Sequence, residues 1–378
     1  MIDRYFAGKV GIQQRVLPAY RKSFFDLLAN KCEGGLSVFA GDPLPGENIN
    51  TINELRVANF YPASNRHFSN PDSIFYQCRQ AEIIDWLEDW NPDVLIVEAN
   101  PRYPSTPTAI QWMHQHGRPA IGWGLGSPQT SGLLGYWRKR KRLNLFLSFE
   151  AMIAYSNLGA REFEALGVPS DRIYVAHNAV SSRPTRPINI RPATYSDRPK
   201  VLFVGRLQSR KRIDNLLIAC SRLPAIIQPI VWIIGDGPAR ESFQSLAREL
   251  YPDAVFLGAR QGDELEKYFL NADLFVLPGT GGLAVQQAMT YGLPVIVAQG
   301  DGTQEDLVAN ENGWLIPADD INSLANTLQD ALSDPHRLRL MGEKSYDLVY
   351  DKINLEQMVD VFIDAISHVN HKRIDQSS

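Results

Sequence analysis

The clearest pattern in the chain is a short apolar run followed by an amphipathic stretch, repeated several times. VLFVG (201–205), VWIIG (231–235), AVFLG (254–258), DLFVLPG (273–279) and PVIVA (294–298) each read as a strand buried on both faces. Between them apolar residues recur at helical spacing. Ile213, Leu216, Leu217 and Cys220 share one face, and helices are expected over 239–250, 263–271, 283–291 and 321–332. Strands alternating with helices over about 130 residues predict a doubly wound α/β domain at 200–350.

The front half follows the same grammar less cleanly. Strands are expected at VGIQQ (10–14), GLSVFA (35–40), DVLIVEA (93–99), PAIGWG (119–124), MIAYS (152–156) and IYVAHN (173–178), with helices over 20–30, 73–87, 106–116 and 158–166. The stretch 181–199 is rich in Pro, Ser and Thr without apolar periodicity and reads as a linker. A last amphipathic helix, with Met358, Val361, Phe362 and Ala365 on one face, opens a C-terminal segment at 351–378 that is expected to pack back on a neighbouring surface. The fold class is therefore α/β, two tandem Rossmann-like domains (1–180 and 200–350) facing a central cleft. In open α/β sheets ligands bind beyond the carboxyl ends of the strands, so the loops there are the places to search.

Composition narrows the classes without adding a site. With 378 residues, 44% hydrophobic and 21% charged, the chain is neither disordered nor fibrous. The net charge of −4 divides into +5 over residues 1–200 and −9 over 201–378, which argues against a general affinity for nucleic acid and leaves room for an anionic partner of the front half. Cys32, Cys78 and Cys220 are odd in number and far apart, so neither a zinc site nor a disulfide framework is expected. No signal peptide and no run of 18 apolar residues is found, and the expected location is cytoplasmic, with room for peripheral attachment to the inner membrane face.

Two loops carry candidate chemistry in the back half. Arg206, Arg210, Lys211 and Arg212 put four cations in seven residues at a strand end that opens a helix, which suits a diphosphate, although a solvated basic turn has the same composition. Pro278-Gly279-Thr280-Gly281-Gly282-Leu283 links a strand to a helix, where glycines allow close backbone approach and free N–H groups cradle phosphate. In the front half, Glu98 ends a buried strand and is a candidate base for a hydroxyl, the alternative being a pair with Arg102. Gln13 and Arg15 follow the first strand and are candidates to line the cleft. Tyr136, Trp137 and the cations Arg138 to Arg142 suit an anionic membrane surface, or else form a solvated helix face.

The segments FVGRL…K (203–211), IIGDGP (233–238), FLG (256–258), ADLFVLPG (272–279), QQAMTYGLPVI (286–296), EDL (305–307) and ENGWLIP (311–317) occur in an order that resembles the GT-B glycosyltransferases, in particular the large, typically retaining bacterial group that uses nucleotide-sugar donors, family 4-like. RVLPAYRKSFFDLLA (15–29) and the region 154–180 resemble front-domain segments of the same group. The resemblance implies transfer of a sugar from a nucleotide diphosphate donor, UDP- or GDP-linked, to a saccharide or lipid-linked acceptor hydroxyl, with no cofactor and no metal. It implies that Arg206 and Lys211 hold the donor diphosphate, that the backbone of Gly281, Gly282 and Leu283 contacts the same phosphates, and that Gly258 and Arg260 border the nucleobase. Glu305 matches a later acidic position of the group.

Two departures stand out. Where the group has a Glu, seven residues and a second Glu before Ala-Met, this chain has Gly279 and Gln287. The amide oxygen of Gln287 can still accept a ribose hydroxyl, whereas Gly279 offers no side chain to the transferred sugar. No His occupies the neighbourhood of Gly124-Leu125-Gly126, where many relatives place one. A non-catalytic nucleotide-sugar binder on the same scaffold is the alternative reading; an epimerase would need an acidic set that the sequence does not present.

Overall fold

The computed structural model describes residues 4–47, 49–71, 73–127 and 133–377, with only the backbone for 133–138 and 372–377. The chain divides into two compact units, residues 1–180 with 355–378, and residues 181–354.

The first unit carries strands β1 (Val10–Val16), β2 (Leu36–Gly41), β3 (Asn59–Ala63), β4 (Asn65–Phe68), β5 (Gln77–Gln80), β6 (Val94–Glu98), β7 (Ala120–Gly124), β8 (Ala151–Ala154) and β9 (Ile173–Val175). Its helices are α1 (Lys22–Ala29), α2 (Ile83–Trp90), α3 (Ser105–Gln115), α4 (Leu133–Leu147) and α5 (Asn157–Leu166). Seven strands form one parallel sheet in the order β3-β2-β1-β6-β7-β8-β9. Its central strands are buried on both faces, which helices cover, and are apolar up to their carboxyl ends, where β1 carries Gln13, Gln14 and Arg15 and β6 carries Glu98. Phe24, Phe25, Trp123 and Val38 fill one side, and Trp86, Met113, Phe146 and Phe163 the other.

Helix 73–87 is not what the sequence pattern led one to expect. Residues 77–80 instead form β5, antiparallel to β4, and only Ile83–Trp90 is helical. The reason is visible in the burial, where Cys78 and Gln80 are buried and Gln77 and Arg79 exposed, a period of two rather than 3.6.

The second unit carries β10 (Lys200–Val204), β11 (Ile230–Ile234), β12 (Ala254–Gly258), β13 (Leu274–Leu277), β14 (Val295–Ala298) and β15 (Gly313–Ile316). Its helices are α6 (Ile213–Ser221), α7 (Arg240–Leu250), α8 (Gly262–Asn271), α9 (Leu283–Thr290), α10 (Ile321–Leu332) and α11 (Pro335–Asp351). The six strands run parallel in the order β12-β11-β10-β13-β14-β15, so the order reverses between β10 and β13. The reversal in the first sheet lies between β1 and β6. Helix α11, absent from the sequence reading, starts on Pro335 with Asp334 accepting from the Arg337 N–H.

Residues 181–199, expected as a linker, belong to the second unit. Arg191 donates there to the carbonyls of Phe269, Ala272, Tyr291 and Gly292, which ties the segment to the ends of α8 and α9. The last helix, α12 (Leu355–Ser377), packs back on the first unit. Phe362 meets Phe24 and Trp123, and the buried Arg21 reaches both Met358 and the Asn178 side chain.

Candidate functional site

In the second unit the loops after β10, β13 and β14 converge at the point where strand order reverses. After β10 the chain makes a short turn and enters α6 through Arg212, which holds a left-handed backbone at φ 54°. A non-glycine residue there is strained, and such residues persist where the surroundings fix them. Arg212 is fixed by an ion pair with Asp319 at 2.8 Å and by Asn215. Of the four cations read in this loop, Arg212 is thus committed to the fold. Lys211 points the other way and donates to the Thr280 carbonyl, while Arg210 donates to the Thr280 hydroxyl at 3.1 Å. Desolvation by burial, and then the neighbouring Arg210, pull the Lys211 ammonium down to about 8, with Asp301 acting in the opposite direction. Arg206 stands half-buried at the start of the same loop.

The glycine loop is shaped by this neighbour. Gly279 is buried, and a Cβ there would run into the backbone of Arg210 and Lys211, so no side chain fits as the loop stands. Gly281 has φ 129°, and a Cβ on it would strike the Lys211 ammonium. Gln304, which the sequence reading overlooked, is fully buried beneath the loop. Its amide accepts from the Gly281 N–H at 2.9 Å and donates to the carbonyls of Gly279 and Ala298. Nothing in the sequence marks Gln304 except its place beside Glu305, whose carboxylate accepts from Gly300 and Gly302 at 2.7 and 2.8 Å. Gly282 precedes Leu283, the first residue of α9, so the helix dipole and its first free N–H groups open beside Lys211.

The remaining candidates lie farther out. Gln287, one turn into α9, lines a cavity of about 410 Å³ with Arg183, Arg186, Glu266 and Tyr291. Gly258 ends β12 with φ 70°, and Arg260 is exposed with its guanidinium 3.8 Å from Glu264. None of these three joins the hydrogen bonds around Lys211 and Thr280 among the described residues.

In the first unit a separate polar cluster occupies the carboxyl ends of β1 and β6. Gln13, 2% exposed, accepts from the Glu98 N–H at 3.2 Å and donates to Gln80 at 2.6 Å. The Arg15 N–H donates to the Glu98 carboxylate at 3.1 Å, while the Arg15 guanidinium forks onto Glu47 with two bonds of 2.9 Å. Burial is the largest influence on Arg15 and opposes its charge, but the Glu47 bonds together with the charges of Tyr103, Glu47 and Tyr76 outweigh it and its pKa is raised. Glu98 accepts no such fork, although the charges of Arg15 and Arg21 favour its ionised form. Burial holds its pKa above the ordinary carboxylate range despite the Arg15 N–H and a hydrogen bond with Tyr103. Among the described residues no ion pair joins Glu98 to Arg102, whose backbone N–H donates to the Asn100 side chain. Glu47, Gln80 and Tyr103 are members the sequence reading missed, since Glu47 sits in an irregular loop and Gln80 in an unexpected strand.

On α4 the side chains of Lys139, Arg140 and Lys141 are exposed, whereas those of Tyr136, Trp137 and Arg138 lie outside the described residues. No helix among the described residues is long and apolar enough to cross a membrane.

Residues 187–348, nearly the whole of the second unit, match the family described as Glycosyl transferases group 1. The match lies within the second unit and covers less than half of the chain. The chain also aligns with curated relatives. The chain is 31% identical over 153 residues to the sulfoquinovosyl transferase SQD2 of Arabidopsis thaliana, an alignment covering 39% of this chain and 29% of the relative. It is 23% identical over 177 residues to the lipopolysaccharide core biosynthesis glycosyltransferase LpsE of Rhizobium meliloti, covering 46% and 51%. The chain thus spans about half or less of the length of these relatives. Among solved structures, Anabaena HepE in complex with UDP superposes with a TM-score of 0.69 at 15% identity, over 95% of this chain and 99% of that one. The group 1 unit and its partner unit therefore have the GT-B fold of two Rossmann-like domains.

Proposed function

We propose that this protein is a metal-independent glycosyltransferase that moves a sugar from a nucleotide diphosphate donor, linked to UDP or GDP, to an acceptor hydroxyl in polysaccharide or glycolipid assembly. The observation that carries the reading is the meeting of Lys211 with the N-terminal N–H groups of α9 at the strand-order reversal of a group 1 unit. A diphosphate seated there trades one carbonyl contact of Lys211 for two anionic oxygens, and the same cation and helix dipole stabilise the charge that develops on the leaving nucleotide. Arg206 is a second cation at the mouth of that loop. Gly258, Arg260 and Gln287 are the candidates for base and ribose. In the first unit, Glu98 takes the proton of the acceptor hydroxyl, positioned by Gln13 and the backbone of Arg15. The reading draws support from the relatives as well, one of which is solved with UDP and another named for lipopolysaccharide core biosynthesis.

Thermal unfolding of the full chain with UDP, GDP, UDP-glucose and GDP-mannose tests it. At a hundredfold excess over Kd a ligand of the native state stabilises by about 2.7 kcal/mol, a rise in Tm of several degrees. An unchanged Tm with every member at millimolar concentration overturns the reading.

A lipid-linked acceptor would bring the protein to an anionic membrane surface, for which the exposed Lys139, Arg140 and Lys141 are suited. Sedimentation with vesicles containing a third phosphatidylserine should carry the wild type down and leave a variant with Arg138 to Arg142 all changed to Gln in solution. Equal recovery of the two proteins removes the membrane from the reading.

A further inference from the structure

The donor loop lacks an acidic side chain at Gly279, and the packing of Gly279 on the backbone of Arg210 and Lys211 shows that the position cannot regain one without moving the cationic turn. The transferred group is hydroxyl-rich, and carboxylates are the usual strong acceptors for such hydroxyls. The adjacent loop, which leaves β14, contains a carboxylate, Asp301, next to the glycine loop. Asp301 Oδ1 accepts from both the N–H and the hydroxyl of Thr303, at 3.1 and 2.5 Å. The Thr303 hydroxyl in turn lies 3.7 Å from where a Cβ on Gly282 would be. Gln304 bolts this loop to the glycine loop through its bonds to Ala298, Gly279 and Gly281. Asp301 is exposed, and its charge is felt at the Lys211 ammonium.

We infer that Asp301 supplies the carboxylate that Gly279 cannot, and that it accepts hydrogen bonds from the hydroxyls of the sugar carried on the donor diphosphate. The inference rests on the glycosyltransferase reading and adds a specificity-determining residue to it. Three physical features fit the role. The side chain is held by a local turn, so little ordering remains to be done when the sugar arrives. It stands one loop over from Gly279 on neighbouring parallel strands, β13 and β14, whose carboxyl ends share one edge of the sheet. Its charge acts on the Lys211 ammonium that a diphosphate would engage, which puts a carboxylate in the neighbourhood of the donor.

A carboxylate beside a diphosphate also repels it, and this gives the test opposite signs. Affinities of wild type and Asp301→Asn for UDP, GDP, UDP-glucose, UDP-galactose and GDP-mannose are measured by titration calorimetry on the full chain. The expected result is that Asp301→Asn binds the bare nucleoside diphosphate as well as wild type or better, yet binds the preferred nucleotide sugar about tenfold more weakly relative to it, the value of one or two charge-assisted hydrogen bonds. If all ligands gain affinity equally, or none changes, Asp301 is only a neighbouring charge and the inference is overturned. A wild type that binds no nucleotide overturns the glycosyltransferase reading, and this inference with it. Unchanged thermal unfolding of the unliganded variant keeps a folding defect out of the comparison.

Discussion

Lys211→Ala is expected to lower transfer by a factor of about 10² to 10³, the usual effect of removing one preorganised donor from a developing charge. Two observations set this expectation. Lys211 is the cation that donates to the backbone of the glycine loop, and its desolvation already holds its pKa at about 8 without ligand. The free lysine therefore gives up its proton as pH passes 8, and a diphosphate that needs the ammonium must restore it. Affinity for UDP should fall roughly tenfold between pH 7 and pH 9, with a proton taken up on binding near pH 8. Calorimetry in two buffers of different ionisation enthalpy measures that proton directly. In Lys211→Ala both the pH dependence and the proton uptake should vanish. Stability moves in the other sense. The folded state favours neutral lysine, so the cost of burying the ammonium is fully present below about 8 and is relieved as pH rises toward the unfolded value. A variant that weakens UDP binding equally at pH 7 and pH 9, with proton uptake kept, would show that the diphosphate contacts another group.

The second unit was the more legible part of the sequence because its central strands are buried on both faces and announce themselves as unbroken apolar runs, although AVFLG, expected to be buried, forms the half-exposed edge strand β12. The first unit's β3 and β5 are partly exposed and carry polar residues, so Asn59–Ala63 left no apolar run and Gln77–Gln80 was absorbed into a helix. The same contrast governs the sites. Lys211 and the glycine loop could be placed because cations and glycines at a strand-to-helix junction are local signals. The contacts that bring Gln304, Glu47 and Gln80 into their sites span 23 residues or more, as between Gln304 and Gly281 or Gln80 and Gln13, and nothing near them in sequence says what they touch. Local reading also overcounted. Arg212 looks like a fourth phosphate ligand until Asp319, more than 100 residues away, is seen to engage it.

Glu98→Gln should reduce transfer to the acceptor by a factor of about 10² to 10⁴, the contribution of a general base, while leaving affinity for UDP unchanged. The substitution is nearly isosteric, and the Gln amide oxygen can still accept the Arg15 N–H, so the local bonds of the cluster are kept. What is lost is basicity, and the structure makes that loss specific. Arg15 is the nearest cation, but its guanidinium is spent on Glu47 through two bonds of 2.9 Å. Burial raises the Glu98 pKa by more than Arg15, Tyr103 and Arg21 lower it, so Glu98 is a stronger base when it does ionise. The sign for stability follows. A carboxyl whose folded pKa lies above its unfolded one stabilises the fold at low pH, and that contribution fades as pH climbs from the unfolded pKa to the folded one. At neutral pH wild type carries the cost of an ionised, desolvated Glu98, and Glu98→Gln does not. The variant should be as stable as wild type or more so in urea unfolding at pH 7, and less favoured by comparison at pH 4. Transfer in wild type should rise with pH across the Glu98 titration, before the Lys211 limb turns it down, and this rising limb should be missing in the variant. Loss of activity together with lowered stability at pH 7 would instead make Glu98 a structural carboxylate of the β1 and β6 edge.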